Sequence, residues 1–148
     1  MKHILKLAII GCLQFVLVAC NQDLNKGFDT HSPQTFISTD TIEVTKGSTV
    51  VLKATLSDES GLFSCKLEYS EWNVLQEIKL NESGFPKMYE FTANMVIPED
   101  AKESWLEIYQ KNDGTTFNIT QTYHKISLIF YDIYKNSNVV YFYIKVMP

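Results

Sequence analysis

The sequence predicts an all-β fold, a β-sandwich of about seven strands. The first observation is an alternation of apolar and polar residues with a period of two, which dominates the chain from Ile42 onward. The second is that clusters of Gly, Asp, Asn, Ser and Pro separate these alternating runs. About seven such runs in one domain-sized length are typical of two antiparallel sheets packed face to face.

The N-terminal segment predicts a secretory signal. Lys2 and Lys6 form a short basic region, and a largely apolar run, residues 7–18, follows it. This run is too short to span a bilayer, which takes about 20 apolar residues. An ordinary cleaved signal peptide is one interpretation of the segment.

The end of this segment suggests a second interpretation. Leu17-Val18-Ala19-Cys20 resembles the lipobox of bacterial lipoproteins. The resemblance implies that the signal peptide is residues 1–19, that the Cys20 sulfur carries a lipid, and that this lipid attaches the protein to the cell envelope, as an outer-membrane lipoprotein. Residues 20–34 are polar and aperiodic and predict a tether, and residues 35–148 form the predicted domain. Whether the domain faces the periplasm or the exterior stays open.

Composition limits the function classes. All basic residues are lysines, and removing Lys2 and Lys6 takes the formal net charge from −4 to −6. An acidic chain without arginine is unsuited to nucleic-acid binding and to bidentate phosphate binding. After Cys20, only Cys65 remains, so no intrachain disulfide forms and the core depends on packing alone.

Five predicted strand runs precede Pro98 with turn signals between them, and four of these runs alternate apolar with polar residues. Lys46-Gly47 and residues 58–61 are two of these turns, and Pro98 ends the last run. The fourth run is short and predicts an edge strand. The runs are residues 42–44, 50–56, 63–69, 75–80 and 89–97.

Residues 99–111 break the alternation and predict a short helical insertion. The segment follows a proline and has acidic residues in its first turn, as helix N-termini do. Its acidic face, Glu99, Glu103 and Glu107, has i, i+4 spacing, while Trp105 and Ile108 lie on another side. An extended segment around residues 105–109 is the alternative.

The last two runs predict a hairpin whose two faces are both apolar. The predicted inward set is Ile126, Leu128, Phe130, Phe142 and Ile144. The opposite set, Ile129, Tyr131, Val139, Tyr141 and Tyr143, is apolar where a solvated sheet face should be polar. Either residues 99–111 cover this face, or the tyrosines stand singly at the surface, or the face binds a ligand. The predicted ligand surface comprises Ile129, Tyr131, Tyr141, Tyr143 and Trp105.

The sequence contains no recognisable catalytic motif, cofactor motif or metal motif. His124 is interpreted as a structural histidine and Cys65 as a buried, unreactive thiol. Asp58, Glu59, Asp132 and Asn136 lie in two turns that could supply oxygen ligands to Ca²⁺, but turn capping explains them equally well. We therefore expect no enzymatic activity and no metal site.

Three stretches resemble the immunoglobulin-like domains, of cadherin or fibronectin-III type, found in lipoproteins of the Bacteroidota. They are residues 47–54, the Asp58-Glu59-Ser60-Gly61-Leu62 turn, and residues 126–136, where Lys135 replaces the usual glycine. The resemblance implies an immunoglobulin-like β-sandwich. Asp40-Thr41-Ile42 also resembles an O-glycosylation site of Bacteroidota envelope proteins, which would modify Thr41.

These observations favour a non-catalytic binding module, anchored at Cys20, whose partner is a glycan or an envelope protein. The alternative is a structural spacer lipoprotein that binds no small ligand. The fold itself implies neither, because β-sandwiches host many unrelated functions.

Overall fold

The computed structural model describes residues 29–148 and confirms the prediction of an all-β fold. Within this range the chain forms ten strands and two three-residue 3₁₀ turns, Ser70–Trp72 and Asn81–Ser83. The strands are β1 (Gln34–Phe36), β2 (Thr41–Thr45), β3 (Thr49–Ser57), β4 (Leu62–Tyr69), β5 (Val74–Lys79), β6 (Met88–Val96), β7 (Trp105–Gln110), β8 (Thr116–Gln121), β9 (His124–Asp132) and β10 (Ser137–Met147).

The described strands form three sheets. One has three strands in the order β1-β3-β6, and the largest has five in the order β2-β10-β9-β4-β5. Strands β7 and β8 form a separate two-stranded hairpin. Strand β2 runs parallel to β10, whereas the other pairs are antiparallel.

The two larger sheets bury their facing sides in one hydrophobic core. Because side chains alternate across a strand, every second residue of β3, β6, β9 and β10 enters this core. The inward set predicted for the last hairpin is confirmed, since all five of its members are fully buried. The largest fully buried side chains are Phe91, Phe130 and Phe142.

The predicted helical insertion at residues 99–111 is wrong. Residues 105–110 form strand β7 and pair with β8 in a register that joins Trp105 to Gln121. The loop between them has Gly114 at φ 84°, Lys111 donating to the Thr115 carbonyl and Gly114 donating to the Lys111 carbonyl. This is a short hairpin loop closed by a left-handed glycine. The i, i+4 spacing of the acidic residues favours a helix only weakly. Pairing of residues 105–110 with residues 116–121 determines the conformation instead.

The extra strands explain why the structure has ten rather than about seven. Strands β1 and β8 were not predicted, β7 lies where the extended alternative was placed, and the other seven lie at the predicted runs. In the turn between β9 and β10, Lys135 has φ 69°, so it adopts the left-handed conformation for which a glycine is best suited.

The C-terminal part of the predicted tether contacts the domain. Asn136 donates a hydrogen bond from Nδ2 to the Asp29 carbonyl (2.8 Å), and Asn138 donates from Nδ2 to the Pro33 carbonyl (2.9 Å). Pro33 is buried. The segment therefore approaches the domain at the β9–β10 turn. Among residues 29–148 we find no helix with the length and apolar character needed to cross a bilayer.

We expect Phe142→Ala to lower the free energy of unfolding of the full-length chain by about 3–5 kcal/mol, because it leaves a large cavity in the shared core. Phe36→Ala is the matched control, since Phe36 is 69% exposed on β1 and its removal should change stability by less than about 0.5 kcal/mol. Chemical denaturation followed by circular dichroism measures both. Equal effects of the two substitutions would contradict the assignment of the core.

Candidate functional site

The candidate site lies on the side of the five-stranded sheet that faces away from the core, which we call the outer face. Alternation on β9 and β10 brings four of the five predicted ligand-surface residues to this face, namely Ile129, Tyr131, Tyr141 and Tyr143. Val139 joins them opposite Ile129, and Ser127 lies opposite Tyr141. Strands β4 and β5 add Lys66, Glu68, Leu75 and Glu77.

The tyrosines form the aromatic part of the outer face. The ring centroids of Tyr141 and Tyr143 lie 6.5 Å apart, with 50° between the ring planes. The Lys125 ammonium sits 3.7 Å from the Tyr141 ring centroid, within cation–π distance. Tyr131 and Val139 are 36% and 38% exposed, so the face presents apolar surface to solvent.

An open depression of about 640 Å³ adjoins these rings. It lies where the 3₁₀ turn at residues 70–72 joins β4 to β5, and strand β9 forms its opposite wall. Two of its lining residues are neighbours of Tyr141. Lys125 makes the cation–π contact with the Tyr141 ring, and Ser127 is paired with Tyr141 across the β9–β10 ladder. The lining residues are Lys66, Glu68, Tyr69, Ser70, Asn73, Val74, Leu75, Lys125 and Ser127.

Most charges on the outer face are paired. Lys66 binds the Glu68 carboxylate on the same strand, and the Lys145 ammonium lies 2.8 Å from the Glu43 carboxylate. The hydrogen bond from Lys145 to Glu43 raises the pKa of that lysine. Both pairs are partly exposed, so each stabilises the fold only slightly.

Trp105 lies elsewhere, so the structure does not bring this member of the predicted surface to the outer face. Its ring packs 4.6 Å from the His124 ring, and Trp72 packs against the same histidine at 4.3 Å. His124 is 1% exposed and points to the core side of β9, opposite to Lys125. Trp105 therefore joins the β7–β8 hairpin to the end of the core.

Both ring nitrogens of His124 are hydrogen-bonded. Nε2 lies 2.7 Å from the Lys102 carbonyl, and Nδ1 lies 2.7 Å from the Tyr69 hydroxyl. Because a carbonyl oxygen only accepts, Nε2 carries a hydrogen, and in the neutral ring Nδ1 accepts from Tyr69. Burial, together with the neighbouring Glu71 carboxylate, raises the pKa of the Tyr69 hydroxyl and keeps it a donor. These contacts account for His124 as a structural residue.

The two aspartate turns meet at the opposite end of the sheet. Carboxylate oxygens of Asp29, Asp58 and Asp132 lie within 4.8 Å of one another. Asp58 accepts from the main-chain N–H groups of Ser60 and Gly61, while Asp132 accepts from those of Tyr134 and Asn136. Turn capping thus accounts for both predicted aspartates.

Asp29 was missed by the sequence reasoning, because it lies in the predicted tether. Its carbonyl accepts a hydrogen bond from Asn136, which lies in the same turn as Asp132. Hydrogen bonds from His31, first of all from its main-chain N–H, lower the pKa of the Asp29 carboxyl. Glu59 is exposed and lies outside this group of carboxylates.

The other residues singled out in the sequence are Cys20, Thr41 and Cys65. Cys20 lies outside the described residues. Thr41 is exposed at the first position of β2, and its hydroxyl donates to the Asp40 carboxylate (3.2 Å). Cys65 is buried in the core, and burial raises the pKa of its thiol to about 11, so the reactive thiolate is scarce at neutral pH.

Comparison with known proteins adds no family assignment. No family model matches the sequence, and no curated protein is significantly similar to it.

We expect His124→Ala to destabilise the chain by about 2–4 kcal/mol, because it removes two hydrogen bonds and the shared contact of Trp72 and Trp105. Amide hydrogen exchange in residues 105–121 should accelerate, since Trp105 and the Lys102 carbonyl lose their partner. Tyr123→Ala is the control, because Tyr123 is 40% exposed beside His124. Unchanged exchange in the hairpin would show that His124 does not hold it.

Proposed function

We propose that this chain is a lipid-anchored, non-catalytic binding module of the cell envelope that binds a glycan on the outer face. The observation that carries the proposal is the pair Tyr141 and Tyr143 on a partly exposed face beside a depression with both polar and apolar lining residues. A tyrosine ring offers a sugar an apolar surface and a hydroxyl at its edge. The depression adds hydroxyl, amide and charged groups at one end of the same face.

A glycan fits this surface better than a protein partner does. Stable protein interfaces bury roughly 800 Å² on each partner and centre on apolar anchors. The outer face instead has aromatic rings interspersed with polar and charged residues such as Lys66, Glu68, Ser127 and Lys145. Aromatic rings beside a few convergent polar groups are the usual composition of a small-ligand site.

The proposal includes an immunoglobulin-like assignment of the fold. The order β10-β9-β4-β5 corresponds to the G-F-C-C′ order of variable-type immunoglobulin domains, and the β3–β6 pair corresponds to B–E. The similarity of residues 47–54, 58–62 and 126–136 to bacterial immunoglobulin-like domains supports the same assignment. The β7–β8 hairpin is then an insertion between strands E and F.

The lipid anchor at Cys20 and a location at the outer membrane are also proposed. They are supported by the basic and apolar segment that precedes Leu17-Val18-Ala19-Cys20. Two or three acyl chains on such a cysteine would give lasting attachment, since each buried methylene contributes about 0.8 kcal/mol.

The function is tested with the double substitution Tyr141→Ala and Tyr143→Ala in the full-length chain, screened on a polysaccharide array. We expect the wild-type chain to retain one or more polysaccharides and the double variant to lose at least tenfold in affinity, because both rings are removed. Its melting temperature should fall by only a few degrees, since both side chains lie outside the core. The matched control is Tyr109→Ala with Tyr123→Ala, which removes two exposed tyrosines elsewhere.

Three outcomes would contradict the proposal. A large fall in melting temperature would show that Tyr141 and Tyr143 are packing residues. Retention of an envelope protein in place of any glycan would indicate the wrong class of partner. A chain that binds neither would be the structural spacer.

The anchor is tested with Cys20→Ala and metabolic labelling by a fatty-acid analogue. We expect the variant to lose the label and to leave the membrane fraction, because the thiol that receives the lipid is absent. Cys12→Ala should keep the label and serves as the control. A fully labelled Cys20→Ala protein would refute lipidation at this position.

A further inference from the structure

We propose that Lys125 recognises an anionic group and that the glycan bound on the outer face therefore carries carboxylates, as polymers of uronic acids do. This inference rests on the binding function proposed above and specifies its ligand class. Its basis is Lys125, a lysine without an ion pair among residues 29–148, which contacts the Tyr141 ring at the wall of the depression.

The outer face carries four lysines, Lys66, Lys79, Lys125 and Lys145, of which Lys66 and Lys125 line the depression. Lys66 and Lys145 bind carboxylates of the protein, Glu68 and Glu43, and Lys79 lies outside the lining of the depression. Among residues 29–148, Lys125 has no carboxylate within ion-pair distance. The lining of the depression includes Lys66, Glu68 and Lys125, so its formal charge is +1.

The Lys125 ammonium rests 3.7 Å from the Tyr141 ring centroid, and Lys125 is paired directly with Tyr143 across the β9–β10 ladder. The attraction between the ring and the cation favours this position of the lysine side chain before a ligand arrives. An ammonium has three N–H donors, and a cation–π contact leaves donors available for a carboxylate.

A carboxylate bound to Lys125 would lie at the edge of the depression, beside the Tyr141 ring and close to Ser127, which pairs with Tyr141. The chain as a whole has a formal charge of −4, which does not attract a polyanion from a distance. Selectivity for an acidic sugar must therefore come from contact with Lys125, which among the described residues is the lysine of the depression without an ion pair.

The test uses the full-length chain with polygalacturonate and alginate, and with the methyl-esterified form of each polymer. Esterification keeps the sugar backbone and removes the charge. We expect the wild-type chain to bind at least one acidic polymer about tenfold more tightly than its ester, and Lys125→Gln to remove that preference. Lys145→Gln is the matched control, because Lys145 lies on the same face but is paired with Glu43.

The possible results separate this inference from the proposed function. Equal binding of acid and ester, or unchanged binding by Lys125→Gln, overturns the role of Lys125 while leaving a glycan site that depends on Tyr141 and Tyr143. Binding to neutral polysaccharides alone would likewise overturn the role of Lys125 and leave the glycan site. Failure to retain any polysaccharide overturns the proposed function together with the inference. A melting temperature for Lys125→Gln equal to that of the wild-type chain excludes misfolding as the cause of lost binding.

Discussion

The structure depends on one contact, the packing of β9 and β10 against β3 and β6 across the shared core. Within the described residues Cys65 is a buried free thiol, so no disulfide supports this contact. Phe130 and Phe142 from one sheet and Phe91 from the other are fully buried and belong to the same cluster. Because strand side chains alternate, burying these residues also fixes which residues reach the outer face. A shift of one residue in the register of β10 would place Tyr143 in the core and Phe142 on the outer face.

Sequence reasoning succeeded where local pattern and burial agree. The inward set of the last hairpin could be read from period-2 alternation, since both strands are long and each has one fully buried face. The preferred prediction of a helix failed at residues 99–111, where acidic residues spaced four apart imitate a helical face, and the extended alternative at residues 105–109 matches β7. Strand β7 is stabilised by its pairing with β8. The partner residues, 116–121, lie outside the segment 99–111, so the pattern within that segment could not indicate the pairing.

The candidate site was predictable to the same extent. Alternation brings Ile129, Tyr131, Tyr141 and Tyr143 to one face, but Trp105 was grouped with them only through the mistaken helix. The depression and the contact between Lys125 and Tyr141 could not be predicted. The depression depends on the register between β4, β5 and β9, and the contact depends on a side-chain conformation across two strands.

The position of the N-terminal segment relates the proposed anchor to the proposed site. Asp29 and Pro33 contact Asn136 and Asn138, so the first described residues lie at the β9–β10 turn. Lys125 lies seven residues from Asp132 along β9, and at about 3.3 Å per residue this separates the depression from that turn by roughly 23 Å. The proposed lipid at Cys20 would therefore be connected, through residues 21–28, to the turn end of the domain. The depression and Tyr143 would then lie toward the far end of the sheet, where a ligand can reach them without contacting the lipid headgroups.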